Sequence, residues 1–302
     1  MSNIPLEDRK NWIGGSEIAA LFGLSPYGTE FELYHRKKGN LQELDLDSSE
    51  RVQAGNFMEP AIAAWASDKF GLHLRRVRRY MTHPAIEGYG TSLDYETVTG
   101  HYPAEIKNVD GLIFRDNWEV EGDKIIDAPM HITLQLQAQM ACANKDKGYL
   151  IVCVGGNRLY WMEMEAHKAT HVRLEKAVSL FWQRVANDSE PSPDFVKDAS
   201  AIADLYRVSG DEVLDLKSDN YAESLAHDYA AAAADEKDAA NRKKAAKSEM
   251  LMKIGSAGKV FLSGFTISAK TTKDSEIEAH TRKGYRGFRV TKIKTKNEGA
   301  AA

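Results

Sequence analysis

The amino-acid sequence predicts an α/β fold, a central sheet flanked by helices, with a helical arm and a small β element appended. Three observations lead there. Over residues 16–186, segments of helical period alternate with runs rich in β-branched and aromatic residues. The stretch NDSEPSPD at 187–194 interrupts that pattern with turn-forming residues. Beyond it, residues 217–253 become Ala-rich and charged, the composition of a long helix or coiled-coil-like arm. The expected domains are therefore 1–194 and 195–302 in a chain of 302 residues, long enough to bury a full core.

Each element has a local reason. In GGSEIAALFG, Ser16 is placed to cap a short helix that ends at Gly23. In SPYGTEFELYHRKKG, Thr29 and Glu32 stand at capping-box spacing, basic residues gather in the last turn, and Gly39 stops the helix. SSERVQAGNFMEPAIAAWASDKFG carries Ala61, Ile62, Ala64 and Trp65 at helical spacing, with Pro60 either opening a helix or kinking a longer one. LHLRRVRRYMTH reads as a strand with a basic run of Arg75, Arg76, Arg78 and Arg79. A hairpin over TSLDYETVTGHYPAEIK follows, then an irregular stretch, NVDGLIFRDNWEVEGDKIIDAP. HITLQLQAQMACANK is helical, and GYLIVCV, GGN and RLYWMEME make a strand, a turn and a strand. Residues 167–186 return to helical spacing through Leu174, Val178, Phe181 and Trp182. In the tail, GKVFLSGFTISAK and YRGFRVTKIKTK read as strands with mostly basic decoration.

Composition removes several classes. No apolar run is long enough to span a membrane, and MSNIPLEDRKNW lacks the basic and apolar regions of a signal peptide, so a cytoplasmic location is expected. Cys142 and Cys153 have neither CxxC nor Cys/His spacing, which points to buried free thiols. The net charge of -4 does not by itself announce a nucleic-acid binder, but acidic metal sites lower the net charge and local basic patches govern contact with phosphate.

The hairpin holds the chemistry. With Thr99 and Gly100 as the two central residues of a tight turn, cross-strand partners number to 199, and Asp94 falls opposite Glu105. Facing like charges destabilise a hairpin unless a cation or shared proton compensates. Lys107 shares the face of Glu105, while Ala104 and Ile106 take the core side. Two carboxylates beside a lysine form a hard-oxygen site for Mg²⁺ or Mn²⁺, with the lysine available to orient or help deprotonate water. The alternative for this segment alone is a hairpin whose acids face water. Pro103 marks an edge strand or a bulge.

Four motifs in order, IGGSEIAALFGLSPYGTEFELYHRKKG, GNFMEPAIAAW, SLDY with AEIKNVDG, and LQLQAQM, resemble the YqaJ family of phage-type recombination exonucleases, similar to lambda exonuclease, over residues 8–186. The resemblance implies a PD-(D/E)xK nuclease core with a central mixed sheet. It implies Asp94 and Glu105 as metal ligands together with the backbone carbonyl of Ile106, Lys107 serving the water nucleophile, and Glu59 as an additional acid reaching metal-bound water. Without it, Glu59 is an exposed glutamate favoured by a helix start. Gln135 and Gln137 match the family's Q-x-Q pair, the alternative being a polar helix face to which Gln139 also belongs. Arg9 and Ser16 resemble a pocket for a terminal 5′-phosphate, and a hydroxyl among glycines at a helix start suits an anion on physical grounds; the alternative is simple capping by Ser16. The chain departs from the family pattern at Leu93, where proline is usual, at Tyr95, where glycine is frequent, and at Ile132, where an aromatic is common.

The function so implied is Mg²⁺-dependent 5′ to 3′ degradation of one strand of linear duplex DNA, leaving 3′ overhangs for phage-type recombination in a bacterial host. Duplex ends are the expected partner, with a single-strand annealing protein and a ring-shaped homotrimer also implied. The alternatives are an endonuclease or nicking enzyme of the same fold, and a non-catalytic DNA-binding accessory protein. For the tail, an annealing-protein contact, an oligomerisation arm and a duplex clamp all remain open.

Overall fold

The computed structural model describes residues 10–43, 49–274, 286–288 and 290. One compact unit ends at Leu205 and a second begins at Tyr206. In the first, a 3₁₀ turn (Ile18–Phe22) leads to α1 (Glu30–Lys37), α2 (Glu50–Phe70), β1 (Leu74–Thr82), β2 (Gly90–Thr97) and β3 (Pro103–Val109). Then come α3 (Gly111–Asn117), β4 (Glu119–Glu121), β5 (Lys124–Asp127), α4 (Met130–Ala143), β6 (Lys147–Val154), β7 (Arg158–Glu165), α5 (Lys168–Ala186) and α6 (Ala199–Leu205).

The strands form one mixed sheet in the order β1-β2-β3-β6-β7-β5-β4. β3 pairs with β6, and β5 with β7, in parallel, whereas the remaining pairs are antiparallel. Helices cover both faces, the α/β architecture that the alternation of segments predicts. α2 packs Ile62, Ala63 and Ala66 on Tyr95, Ala104, Ile106 and Ile151. α4 packs Leu136 and Met140 on Leu150 and Val152 of the opposite face. Each fully buried Leu or Ile contributes about 1.5–3 kcal/mol, so these two layers hold β3 in place. Gly148 allows α4 to lie close to β6, since a Cβ there would stand 2.9 Å from Leu136 Cδ1.

Several local expectations are met. Thr29 and Glu32 form the capping box of α1. Pro60 lies within α2, which is one helix capped at its end by left-handed Gly71. Pro103 opens β3, the position in a strand where its missing N–H costs least. Cys142 and Cys153 are buried free thiols, and no helix among the described residues is long and apolar enough to cross a membrane.

Others are corrected. The Ile18–Phe22 turn is capped at Glu17, which bonds back to the Gly14 amide (2.9 Å), and exposed Ser16 lies one residue ahead of it. The irregular 108–129 stretch contains α3, capped by Asp110, and the β4–β5 hairpin. The expected Thr99-Gly100 turn is a four-residue loop, 98–101, with positive φ at Gly100 (84°) and His101 (54°). The first unit also runs past the 187–194 loop, because buried Asp198 accepts hydrogen bonds from the Thr29 hydroxyl and the Asp194 amide.

In the second unit, α7 (Asn220–Ile254) is capped by Asp219 and buries none of its residues. β8 (Lys259–Leu262) and β9 (Phe265–Ser268) form a hairpin that turns at Gly264, φ 85°. The strand expected over 285–296 falls almost wholly outside the described residues.

Candidate active site

The β2–β3 ladder pairs Tyr95 with Ala104 and Glu96 with Pro103, so partners number to 199 and Asp94 and Glu105 stand next in line. The loop is wider than a tight turn, but it widens by one residue on each side, which leaves that sum unchanged. Ala104 and Ile106 face α2, as their burial against Ile62 and Ala63 requires. Glu105 and Lys107 therefore face α4.

There Glu105 is buried and its carboxylate is held on both oxygens. Oε1 accepts from Gln135 Nε2 (2.9 Å) and Oε2 from Gln139 Nε2 (2.6 Å). Lys107 Nζ lies 2.7 Å from Glu105 Oε1 and donates to Gln135 Oε1 (3.1 Å). Burial works against its ammonium, but the charge and hydrogen bond of Glu105 outweigh that, holding the lysine pKa above its ordinary value. Tyr27 and His131, stacked edge to face at 5.7 Å, border this lysine.

Two further acids approach the pair. Glu59, in α2 just before Pro60, is pushed up to about 7 by burial and by the negative charges of Asp94 and Glu105. Asp94 is raised by burial and by Glu105, with Arg76 and Arg78 opposing. Desolvation and mutual repulsion thus disfavour a full set of negative charges here until a cation arrives.

Of the residues predicted from sequence, the structure brings Glu59, Asp94, Glu105, Lys107 and Gln135 together. It does not bring Gln137. That side chain is buried elsewhere, donating to the Glu165 carbonyl (2.8 Å) and accepting from His167 N and His171 Nε2, both at 2.9 Å. The reason is helical period: residues two apart point about 200° apart, whereas residues four apart point about 40° apart. Gln139 is the residue that sequence reasoning passed over, and Q-x-x-x-Q was the signal. Ser16 is exposed beside the site, because neighbouring Gly15 packs on Thr91 and Gln135; a Cβ there would lie 2.8 Å from Thr91 Oγ1. Arg9 lies outside the described residues.

An acid from one strand, Glu-x-Lys from the next, and glutamines from a covering helix thus converge on one face of the sheet. Residues 6–146 match the YqaJ-like viral recombinase domain. The chain is 26% identical over 192 residues to the uncharacterized protein YqaJ of Bacillus subtilis (strain 168), covering 63% of this chain and 58% of that one. It therefore spans less than two thirds of that relative. Among solved structures it is similar to the alkaline exonuclease LHK-Exo from Laribacter hongkongensis, at 18% identity over 65% of this chain and 97% of that one, TM-score 0.47. It is also similar to a phage related exonuclease from Haemophilus somnus 129PT, at 9% identity over 59% and 96%, TM-score 0.43.

Proposed function

We propose that the chain is a Mg²⁺-dependent deoxyribonuclease that degrades one strand of linear duplex DNA from its 5′ end, leaving 3′ overhangs for recombination. The carrying observation is the convergence of Lys107, Glu105 and Gln135 beside Asp94 and Glu59. A structural ion pair needs no further acids at its side; a hydrolytic site for phosphodiesters does.

The donor set fits a hard divalent cation. Carboxylate oxygens predominate, and Asp94 and Glu59 are raised by burial and by neighbouring negative charges more than the nearby arginines lower them. Among the described residues no group of three or more His, Cys, Asp or Glu side chains is placed to hold a metal ion by itself. Asp94, Glu105 and the Ile106 carbonyl would hold Mg²⁺, or Mn²⁺ in its place, leaving room for water and substrate oxygens. When bound, the ion supplies Lewis-acid polarisation of the phosphate and neutralises charge that builds on it.

The side chains divide the remaining work. Lys107 uses Glu105 and Gln135 for two of its donors, which leaves a third for the attacking water or a phosphate oxygen. Its raised pKa keeps it charged, so it orients and stabilises rather than accepting a proton. Glu59, a carboxylate beside Asp94 and Glu105, is assigned as the base that takes the proton of water as its oxygen attacks phosphorus. The P–O3′ bond breaks, its electron pair stays on the 3′ oxygen, and that oxygen takes a proton from solvent water to leave as a hydroxyl. A site that reads a 5′-phosphate must regenerate one each turn, which selects that bond. Ser16 and Arg9 are assigned to this phosphate; exposure of Ser16 beside Gln135 supports the first. Similarity of residues 6–146 to the YqaJ-like viral recombinase domain supports the setting of this reading, the preparation of DNA ends for recombination.

The test is incubation with Mg²⁺ and three DNAs: linear duplex with 5′-phosphates, the same with 5′-hydroxyls, and a covalently closed circle. Loss of the phosphorylated duplex, slower loss of the hydroxyl form and survival of the circle are expected. Cutting of the circle would make the activity endonucleolytic. If none is cut, with or without EDTA, the chain is a binding protein.

A further inference from the structure

The basic run on β1 is two surfaces. Arg75 Nε and Arg79 Nη2 each donate to Glu96, at 2.9 Å, and that carboxylate is fully buried. Arg76 and Arg78 are exposed and take no part in this cluster. The backbone causes the division. Arg76 pairs with Tyr95 and Arg79 with Leu93, so Val77 and Arg78 together oppose one residue, Asp94. A bulge of this kind re-aims side chains and ends regular pairing. Arg78 occupies it at φ 44°, a left-handed conformation that costs free energy in a residue with a Cβ. Strain opposite an acid of the candidate site is an outlier that asks for a function.

The chemistry of the substrate suggests one. A DNA strand brought to Glu59, Asp94 and Glu105 meets carboxylates that repel its phosphates. Arg76 lies with its guanidinium 6.0 Å from the centre of the Tyr95 ring, which steers it without consuming its donors. The charges of Arg76 and Arg78 reach Asp94. A planar guanidinium fork matches two phosphate oxygens, whatever the base sequence.

We propose that Arg76 and Arg78 are strand-positioning residues, holding the phosphodiester backbone of the cleaved strand across Asp94, while Arg75 and Arg79 serve to neutralise Glu96. The proposal rests on the nuclease reading above and adds which of four arginines touch the substrate.

The experiment separates the two. Binding of a labelled linear duplex with 5′-phosphates is followed by fluorescence anisotropy over a salt series, in a Lys107→Ala parent and in that parent with Arg76→Gln and Arg78→Asn. Asparagine tolerates the left-handed backbone at 78. The expected result is weaker binding and a log–log salt slope shallower by about 0.9 for each phosphate that is no longer neutralised. In the otherwise native chain the same pair should raise KM about tenfold or more with kcat little changed, and Arg78→Lys should recover part of the loss. An unchanged slope and KM in a protein that binds DNA overturns this inference alone, as does a fall in kcat at constant KM, which would mean that the arginines only tune the acids. A parent that does not bind DNA sinks both readings. Should the double variant fail to fold, Arg76→Gln, placed in regular strand backbone, carries the test with one phosphate instead of two.

Discussion

Asp94 and Glu96 lie two residues apart on β2 and have opposite electrostatic fates. Burial disfavours the charge of Glu96, but hydrogen bonds from Arg75 and the charges of Arg79, Arg75 and His101 outweigh it and hold the acid below its ordinary pKa. Asp94 is raised by burial and by Glu105, and the arginines nearest to it only reduce the shift. One carboxylate has been given its cations by the fold. The other has been brought to a second carboxylate and left short of charge, an arrangement that costs stability and on which the proposed cation site rests.

The largest effect expected from that contrast is on cleavage. Asp94→Asn and Lys107→Ala should each lower kcat by at least about 10²-fold, the scale of removing one preorganised electrostatic interaction from a transition state. Both proteins should fold, and Asp94→Asn should melt no lower than the native chain in EDTA, because it removes a repelled charge. Full activity in Lys107→Ala would break the mechanism, and a collapse of Asp94→Asn would mean that Asp94 is as structural as Glu96.

The reverse experiment addresses Glu96. Arg75→Ala with Arg79→Ala leaves a buried carboxylate short of two cations, a change worth about 3–5 kcal/mol where pairs are wholly desolvated and less here, since both arginines are half exposed. Urea unfolding should show the loss, while the specific activity of the folded protein is kept. Replacing Glu96 by Gln in the same background should recover much of it.

This difference was only partly open to sequence reading. Hairpin arithmetic located Asp94 opposite Glu105 because partner sums survive symmetric widening of a loop. It was silent on Glu96, whose partners sit on β1 in a register that depends on the bulge at 77–78, and no residue type announces a bulge. The fold class was legible because buried segments such as GYLIVCV read as continuous apolar runs bounded by turn residues. β4 and β5 were not, since most of their residues are exposed and carry no pattern. In α4 every residue is in reach of something polar or apolar, so alternating glutamines read as a pair when the helix joins Gln135 with Gln139.

That last point yields a smaller effect. Gln137→Ala should cost about 1–3 kcal/mol, because the His167 amide and Glu165 carbonyl lose a buried partner. Its kcat should be unchanged. Gln135→Ala should lower kcat by about 10–10²-fold through misplacement of Lys107 and Glu105, with a lesser change in stability. Equal kinetic losses in both variants would show that α4 acts as one rigid support.

The smallest effect concerns a titratable group whose charge burial disfavours for the sake of structure, as it disfavours those of Asp94 and Glu59 at the site. His83 Nδ1 accepts from the amides of Ala85 (3.3 Å) and Ile86 (3.2 Å), and its ring stacks on Tyr89 at 5.1 Å. Protonation at Nδ1 would remove that acceptor. Burial lowers its pKa below 6.5, with Glu175 opposing. The folded state then binds fewer protons than the unfolded state, so the stability from His83 is present above pH 6.5 and is lost as pH falls through the folded pKa. One proton limits the slope to about 1.4 kcal/mol per pH unit. Unfolding midpoints from pH 8 to 5 should therefore fall more steeply for the native chain than for His83→Gln, which has no ring to protonate. Parallel curves would mean that the acid limb comes from His171 beside it, whose pKa burial also lowers, and that the 83–89 segment is held by packing of Tyr89 alone.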